Sequence, residues 1–230
     1  MLSIREKSQR GFADHQWLKT WHSFSFADYV DTRYNNFSVL RVINEDHIQT
    51  GFGFPAHPHK NMEIFTYVLA GTLQHKDSMG NETQLHAGEY QIMSAGTGIY
   101  HSEYSVHPTD DAHIYQIWMI PNEKGITPRY EQKPFADTAK SLLLSPDASG
   151  DSFRVHQDLW LWRYRFATKE TQTLALNPER NYWLQMVRGK LDVNGESVGA
   201  SDGIAVRNES SLRLIAETDS EFLLFDLPQE

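Results

Sequence analysis

The sequence predicts an all-β protein made of two β-barrel units. Three observations carry this. Short runs rich in branched and aromatic residues recur between glycine turns along most of the chain. No amphipathic helical period shows itself up to Pro121. A repeat is also visible: Tyr67-Val68-Leu69-Ala70-Gly71-Thr72-Leu73 is similar to Gln185-Met186-Val187-Arg188-Gly189-Lys190-Leu191. Each copy is followed by a hairpin and a further glycine turn, at Gly88 or Gly203, so two copies of one β unit account for the length.

Taken in order, Leu2 to Gln9 alternates weakly and reads as an edge strand. Trp17 to Tyr29 is dense in rings without a helical period, which suits an extended arm packing aromatics on a barrel, some of them at a pocket mouth. His22 within it reads as a hydrogen-bonded structural histidine. Phe37–Ile43 and Asp46–Gln49 read as two strands, and Ile64–Leu69 as a strong one. Thr72–Lys76 and Glu82–Leu85 form a hairpin around Ser78-Met79-Gly80-Asn81. His75 and His86 flank it and read as solvated surface. Tyr90–Met93, Ile99–Tyr104 and Ala112–Ile120 complete the first unit, and Pro121–Pro134 reads as the connection between halves. Strands follow at 141–145, 153–157, 159–167, 171–176, 182–187, 189–193, 203–206, 211–215 and 221–225. The expected domains are residues 1–130 and 131–230.

Composition narrows the chemistry. The 230 residues are 40% hydrophobic, enough for ordinary cores, and carry a formal charge of -9. That charge argues against nucleic-acid backbone binding as the main role, though not against a protein partner. The absence of cysteine removes disulfides, thiolate zinc sites, iron–sulfur clusters and cysteine nucleophiles together. Any metal is then held by nitrogen and oxygen. Met1–Arg10 has no apolar core of a signal peptide, and no apolar run approaches the ~20 residues of a membrane span, so a cytoplasmic protein is expected.

The chemistry-bearing stretch runs from Gly51 to Tyr104. It contains His57-Pro58-His59 and, some forty residues later, His101-Ser102-Glu103. Residues two apart on a strand share a face, so each pair points one way. Three imidazoles and one carboxylate suit a divalent first-row metal with open positions for water or substrate. Glu63 keeps parity with His57 and His59 and is a rival carboxylate. The second unit has one histidine, His156, and no paired set.

Gly51, five residues, His57-Pro58-His59, three residues and Glu63 resembles the first cupin motif. Ser94-Ala95-Gly96-Thr97-Gly98-Ile99-Tyr100-His101-Ser102-Glu103 departs from the second cupin motif, with Ser94 near the usual proline. That form resembles the pirin family within the cupins, as do Trp21-His22-Ser23-Phe24-Ser25-Phe26, Tyr115-Gln116-Ile117-Trp118 and Gly125-Ile126-Thr127-Pro128-Arg129-Tyr130-Glu131. The resemblance implies a bicupin of two jelly-roll barrels with metal in the N-terminal one only. It implies His57, His59, His101 and Glu103 as ligands, favours Glu103 over Glu63, and makes iron(II) the expected ion. Nickel, cobalt, manganese, copper and zinc are compatible with the same donors. Some members of that family are quercetin 2,3-dioxygenases, which open a flavonol with dioxygen and release carbon monoxide; Glu103 would then take the proton of the substrate's 3-hydroxyl. Others are cofactors of transcription regulators, so a redox-responsive protein that binds a partner is the alternative.

Overall fold

The computed structural model describes residues 1–229, and these form strands joined by turns, with a single 3-10 turn at Lys7–Gln9. Among them no helix is long and apolar enough to cross a membrane. The strands make four sheets. The first seven-stranded sheet runs in the order Arg129–Pro134, Glu89–Ser94, Glu63–Ala70, Ala112–Met119, Leu40–Ile48, Leu18–His22, Gly11–Asp14. Facing it is a four-stranded sheet of Gly53–His59, Ile99–Ser105, Thr72–Asp77 and Glu82–His86. The C-terminal half repeats the arrangement. Its large sheet runs Leu2–Arg5, Gly203–Arg207, Asn181–Arg188, Ser220–Leu227, Trp160–Phe166, Lys140–Ser145, Phe153–Arg154. Its small sheet is Thr171–Ala175, Ser211–Ala216, Lys190–Val193 and Glu196–Gly199. This is the two-barrel, all-β architecture that the repeat predicts.

Strand alternation sorts side chains between two kinds of core. From the strand Glu63–Ala70, Phe65 and Tyr67 join Tyr90, Tyr115, Leu161, Trp183 and Phe225 in one cluster shared by both large sheets. Val68 points the other way, into the N-terminal barrel with Leu73, Leu85 and Ile114. The C-terminal barrel is filled by Leu184, Met186, Leu191, Val193, Ile204, Leu212, Leu214 and Phe222. Polar ties cross the shared face. Arg10 pairs with Glu45 at 2.9 Å and donates to the Ser201 carbonyl at 3.1 Å. Arg163 donates to the Tyr90 hydroxyl at 3.1 Å, and the Tyr67 hydroxyl donates to Glu221.

The repeated glycines have a backbone reason. Gly71 and Gly189 sit at φ +72° and +81°, and a Cβ there would meet the Asp111 and Asp219 carbonyls at 2.6 and 2.2 Å. Both turns pass under another loop too closely for a side chain.

Several strand limits differ from the sequence reading. In place of two strands at Phe37–Ile43 and Asp46–Gln49 there is one continuous strand, Leu40–Ile48, because polar Asn44, Glu45 and Asp46 are buried inside it rather than marking a turn, and Phe37 to Val39 precede it. Arg129–Pro134 is a sheet-edge strand, not a linker, and pairs with Glu89–Ser94. Glu196–Gly199, too short and polar to stand out, closes a hairpin. Leu2–Arg5 is an edge strand, but of the C-terminal sheet. Leu18–His22 is a sheet strand rather than an arm laid on the barrel, with Trp17 and Phe26 beside it at a cavity.

Candidate metal centre

The centre is built where Gly53–His59 and Ile99–Ser105 pair in the small N-terminal sheet. His57 lies directly opposite His101 in that ladder, and His59 opposite Ile99. The strands come close because position 53 is glycine: a Cβ there would meet the Glu103 carbonyl at 2.1 Å. The ladder shifts register between His101 and Glu103, a bulge of the kind that re-aims side chains at barrel sites.

His57, His59 and His101 each offer a ring nitrogen, and these lie within 4.8 Å of one another. Their ring centroids are 4.5 to 4.9 Å apart with interplanar angles of 54° to 80°. Lone pairs lie in the ring planes, so steeply inclined rings can aim at one point. His57 Nδ1 lies 2.8 Å from the Pro55 carbonyl, which can only accept. That contact makes Nδ1 the N–H and leaves Nε2 as the free donor atom. His57 Nε2 and His101 Nε2 are 3.0 Å apart, a spacing that a shared cation satisfies. Burial first, then the neighbouring imidazoles, push His59 down to about 4 and His101 down to about 3. Both are therefore neutral donors at neutral pH. The donor set fits a divalent first-row ion.

Glu103 is fully buried and its carboxylate groups with His101 and His75. Gln91 donates to one oxygen and Gln116 to the other, each at 2.6 Å. Tyr130 and Thr66 secure Gln91 in turn, at 3.0 Å each. Glu63 lies elsewhere. It accepts from Ser94 at 3.0 Å and stands 3.5 Å from His156 Nδ1, which ties it to a loop of the C-terminal half. His156 therefore has a partner, and that partner is the rival carboxylate.

His75 corrects the sequence reading. It is buried, 3.0 Å from Asp77, and stacked on Tyr130 at 4.2 Å. Alternation turns it inward, and a hairpin position alone does not tell which face is wet. His86 is exposed, as expected. His22 is a buried, hydrogen-bonded histidine as expected, 2.8 Å from Asn44.

A second histidine cluster, Glu45, His47 and His113, does not fit an ion. The His47 and His113 rings are stacked at 3.9 Å and only 20° apart, so their planes do not meet near a common ion. Glu45 is already bonded to Arg10, His113, Tyr115 and Ser201. It is a junction between the two halves.

Beside the imidazoles opens a cavity of about 470 Å³. Trp17, Phe26, Phe54 and Trp118 supply aromatic wall, and His57, Glu103 and Gln116 line it together with Thr20, His22, Asn44 and Asp46. Trp118 meets His59 edge-on at 4.8 Å. Burial pushes Asp46 up to about 7, reinforced by the charge of Glu103 and opposed by the Thr20 hydroxyl. Sequence reading missed Gln91, Gln116 and Asp46. For Gln91 and Gln116 the signal was present, since each is a polar residue in the middle of a largely apolar strand; Asp46 lies in the polar run Asn44-Glu45-Asp46-His47, which hides it.

Comparisons with known proteins agree with this architecture. The pirin family model matches residues 3–119, and the model of the quercetinase C-terminal cupin domain matches residues 142–227. Quercetin 2,3-dioxygenase of Escherichia coli K12 is 52% identical over 229 residues, 99% of each chain. A pirin-like protein of Caulobacter vibrioides is 38% identical over 231 residues, 98% of this chain and 99% of that one. The crystal structure of the bacterial pirin YhhW from Escherichia coli in complex with nickel(II) superimposes with a TM-score of 0.97 at 52% identity, covering all of both chains. With its motifs, two barrels and full-length relatives in agreement, this chain belongs to the pirin family of bicupins.

Proposed function

We propose that this chain is a metal-dependent dioxygenase that opens flavonols such as quercetin, consuming dioxygen and releasing carbon monoxide. The observation that carries the reading is a cluster of three inclined imidazoles, joined through His101 to a second cluster that holds the buried Glu103 carboxylate, beside an aromatic-walled cavity. A 52%-identical relative along the full chain carries the name quercetin 2,3-dioxygenase, which supports the same reading.

His57, His59, His101 and Glu103 would hold the ion, with iron(II) preferred and nickel(II) the alternative suggested by the relative's complex. When bound, such an ion supplies Lewis acidity that lowers the cost of ionising a phenolic hydroxyl. The protein's own groups do the rest. The Pro55 carbonyl fixes the His57 tautomer, and the Trp118 edge packs against His59. The Gln91 and Gln116 amides hold the Glu103 side chain in one orientation. Glu103 accepts the proton of the substrate's 3-hydroxyl. The cavity is of a size that takes small ligands, and its rings give a flat aromatic faces to stack on while keeping water away.

The test is an oxygen-electrode trace on metal-analysed protein with quercetin, with carbon monoxide assayed in the headspace. Oxygen uptake, loss of flavonol absorption and carbon monoxide are expected together. A metal-replete sample that consumes no oxygen with any of several flavonols would refute the dioxygenase reading.

A further inference from the structure

One wall of the cavity is more polar than metal binding requires. It is made by two cross-strand pairs, Thr20 opposite Asp46 and His22 opposite Asn44. Positions 20 and 22 share a face of their strand, and so do 44 and 46, so all four side chains converge on the cavity they line. Each is at most 4% exposed. His22 and Asn44 satisfy one another at 2.8 Å. Asp46 and Thr20 are different. Asp46 Oδ1 and Thr20 Oγ1 are buried and complete no hydrogen bond of good geometry, and the Thr20 hydroxyl is the one uncharged polar group that bears on the carboxylate.

The neighbouring residue sharpens the contrast. Glu45 points to the opposite face, and its two oxygens share four partners. Two adjacent carboxylates are thus treated oppositely: one is locked between the halves by four partners, the other lines the cavity with the Thr20 hydroxyl beside it. Leaving a buried acceptor poorly paired is costly, and more so for a charged group. Such a cost persists at positions that are paired in a functional state. In the C-terminal barrel the position equivalent by register is Tyr164, so the carboxylate goes with the ligand-bearing barrel.

Resting on the flavonol reading above, we propose that Asp46 is a specificity residue: with Thr20 beside it, it accepts a hydrogen bond from a phenolic hydroxyl of the bound ligand other than the one at the metal. The remaining wall is aromatic, so the cavity favours flat aromatics bearing a second hydroxyl over bare ones.

Anaerobic binding at mildly alkaline pH tests this without turnover. Metal-loaded wild type and Asp46→Asn are titrated with quercetin and with flavonols each lacking one hydroxyl, with metal content measured in the same samples. Expected are equal metal contents, quercetin binding about tenfold weaker in Asp46→Asn, and one analogue that binds both proteins alike. Equal weakening across the whole series, or none, would overturn the assignment while leaving the flavonol reading intact. A metal-loaded wild type that binds no flavonol would overturn both. Should Asp46→Asn fold poorly, isotope-edited infrared spectra of the wild-type aspartate carboxyls decide: a band must shift with quercetin and stay put with the one analogue.

Discussion

The N-terminal and C-terminal barrels are aligned by their own ladders, and the alignment shows what a metal site demands of a β core. His101 faces His57 across one ladder; Leu212 faces Leu174 across the equivalent one. Glu103 sits beside His75, and Leu214 beside Val193. Gln91 and Gln116 both pair with Thr66, while Ile204 and Leu224 both pair with Leu184. Every inward polar residue of the first barrel in this set has an aliphatic counterpart in the second. Strand order is the same, down to the shared glycine turns at Gly71 and Gly189, but the ladder shifts register between His101 and Glu103 and runs unbroken from Ser211 to Ile215. One fold therefore serves either as a desolvated donor set or as an oily plug, and side-chain chemistry together with the local bulge decides which. The plugged barrel still matters to the first, because the two large sheets share one apolar cluster.

The largest expected effect comes from moving polarity into the wrong barrel. Leu214→Glu places a carboxylate where Val193, not histidine, is its neighbour, with no amides to receive it. A cost of about 3–5 kcal/mol or more is expected, read as loss of soluble protein or a much lower denaturant midpoint. If Leu214→Glu folds normally, the second barrel is looser than its packing indicates.

Next in size is removal of the donors. His57→Ala with His101→Ala should lower metal affinity by at least about 100-fold, while circular dichroism stays that of the wild type. Metal retained at full stoichiometry would place the ion elsewhere.

A smaller, more informative effect concerns Glu103 and its amides. Glu103→Leu alone strands the buried Gln91 and Gln116 amides, at about 1–3 kcal/mol each. Importing the full C-terminal set, Glu103→Leu with Gln91→Ile and Gln116→Leu, removes the stranded groups. The triple variant should melt above the single one, both lacking metal. A strictly additive loss of stability would show that the two barrels are not interchangeable position by position.

The smallest effect is in pH. An ordinary imidazole near 6.5 competes for metal as soon as pH falls below that value. His59 and His101 are held down to about 4 and about 3, so they remain unprotonated donors well below it. Proton competition at these two rings should thus begin only as pH approaches 4. Competitive chelator titrations between pH 7 and 5 should show a nearly flat affinity contribution from them. A steep loss near pH 6.5 would mean that burial does not depress these two rings as strongly as their packing implies.

How much of the fold and the site is legible in the sequence depends on the residue. Period-two alternation and glycine turns made most strands legible, including Ile64–Leu69 and its copy at 182–187. Arg129–Pro134 escaped because an edge strand with one partner needs little apolar patterning. The His57/His59 and His101/Glu103 pairs were legible because spacing on a strand fixes which residues share a face.

Spacing does not fix which face is inside, nor what lies opposite. His75 and His86 looked alike in sequence, yet one is buried against Tyr130 and the other is exposed. Glu45 and Asp46 are adjacent acids, and the sheet turns one to the junction between halves and the other to the cavity. Glu63 and Glu103 were equal by parity until the folded strands put His156 beside the first and two glutamine amides on the second. The sequence by itself determined the strands, the doubling of the unit and the pairs of donors, because these follow from local periodicity. The tertiary structure decided which acid is held where and which polar residues line the cavity. Those outcomes depend on cross-strand register and desolvation between residues far apart in the chain.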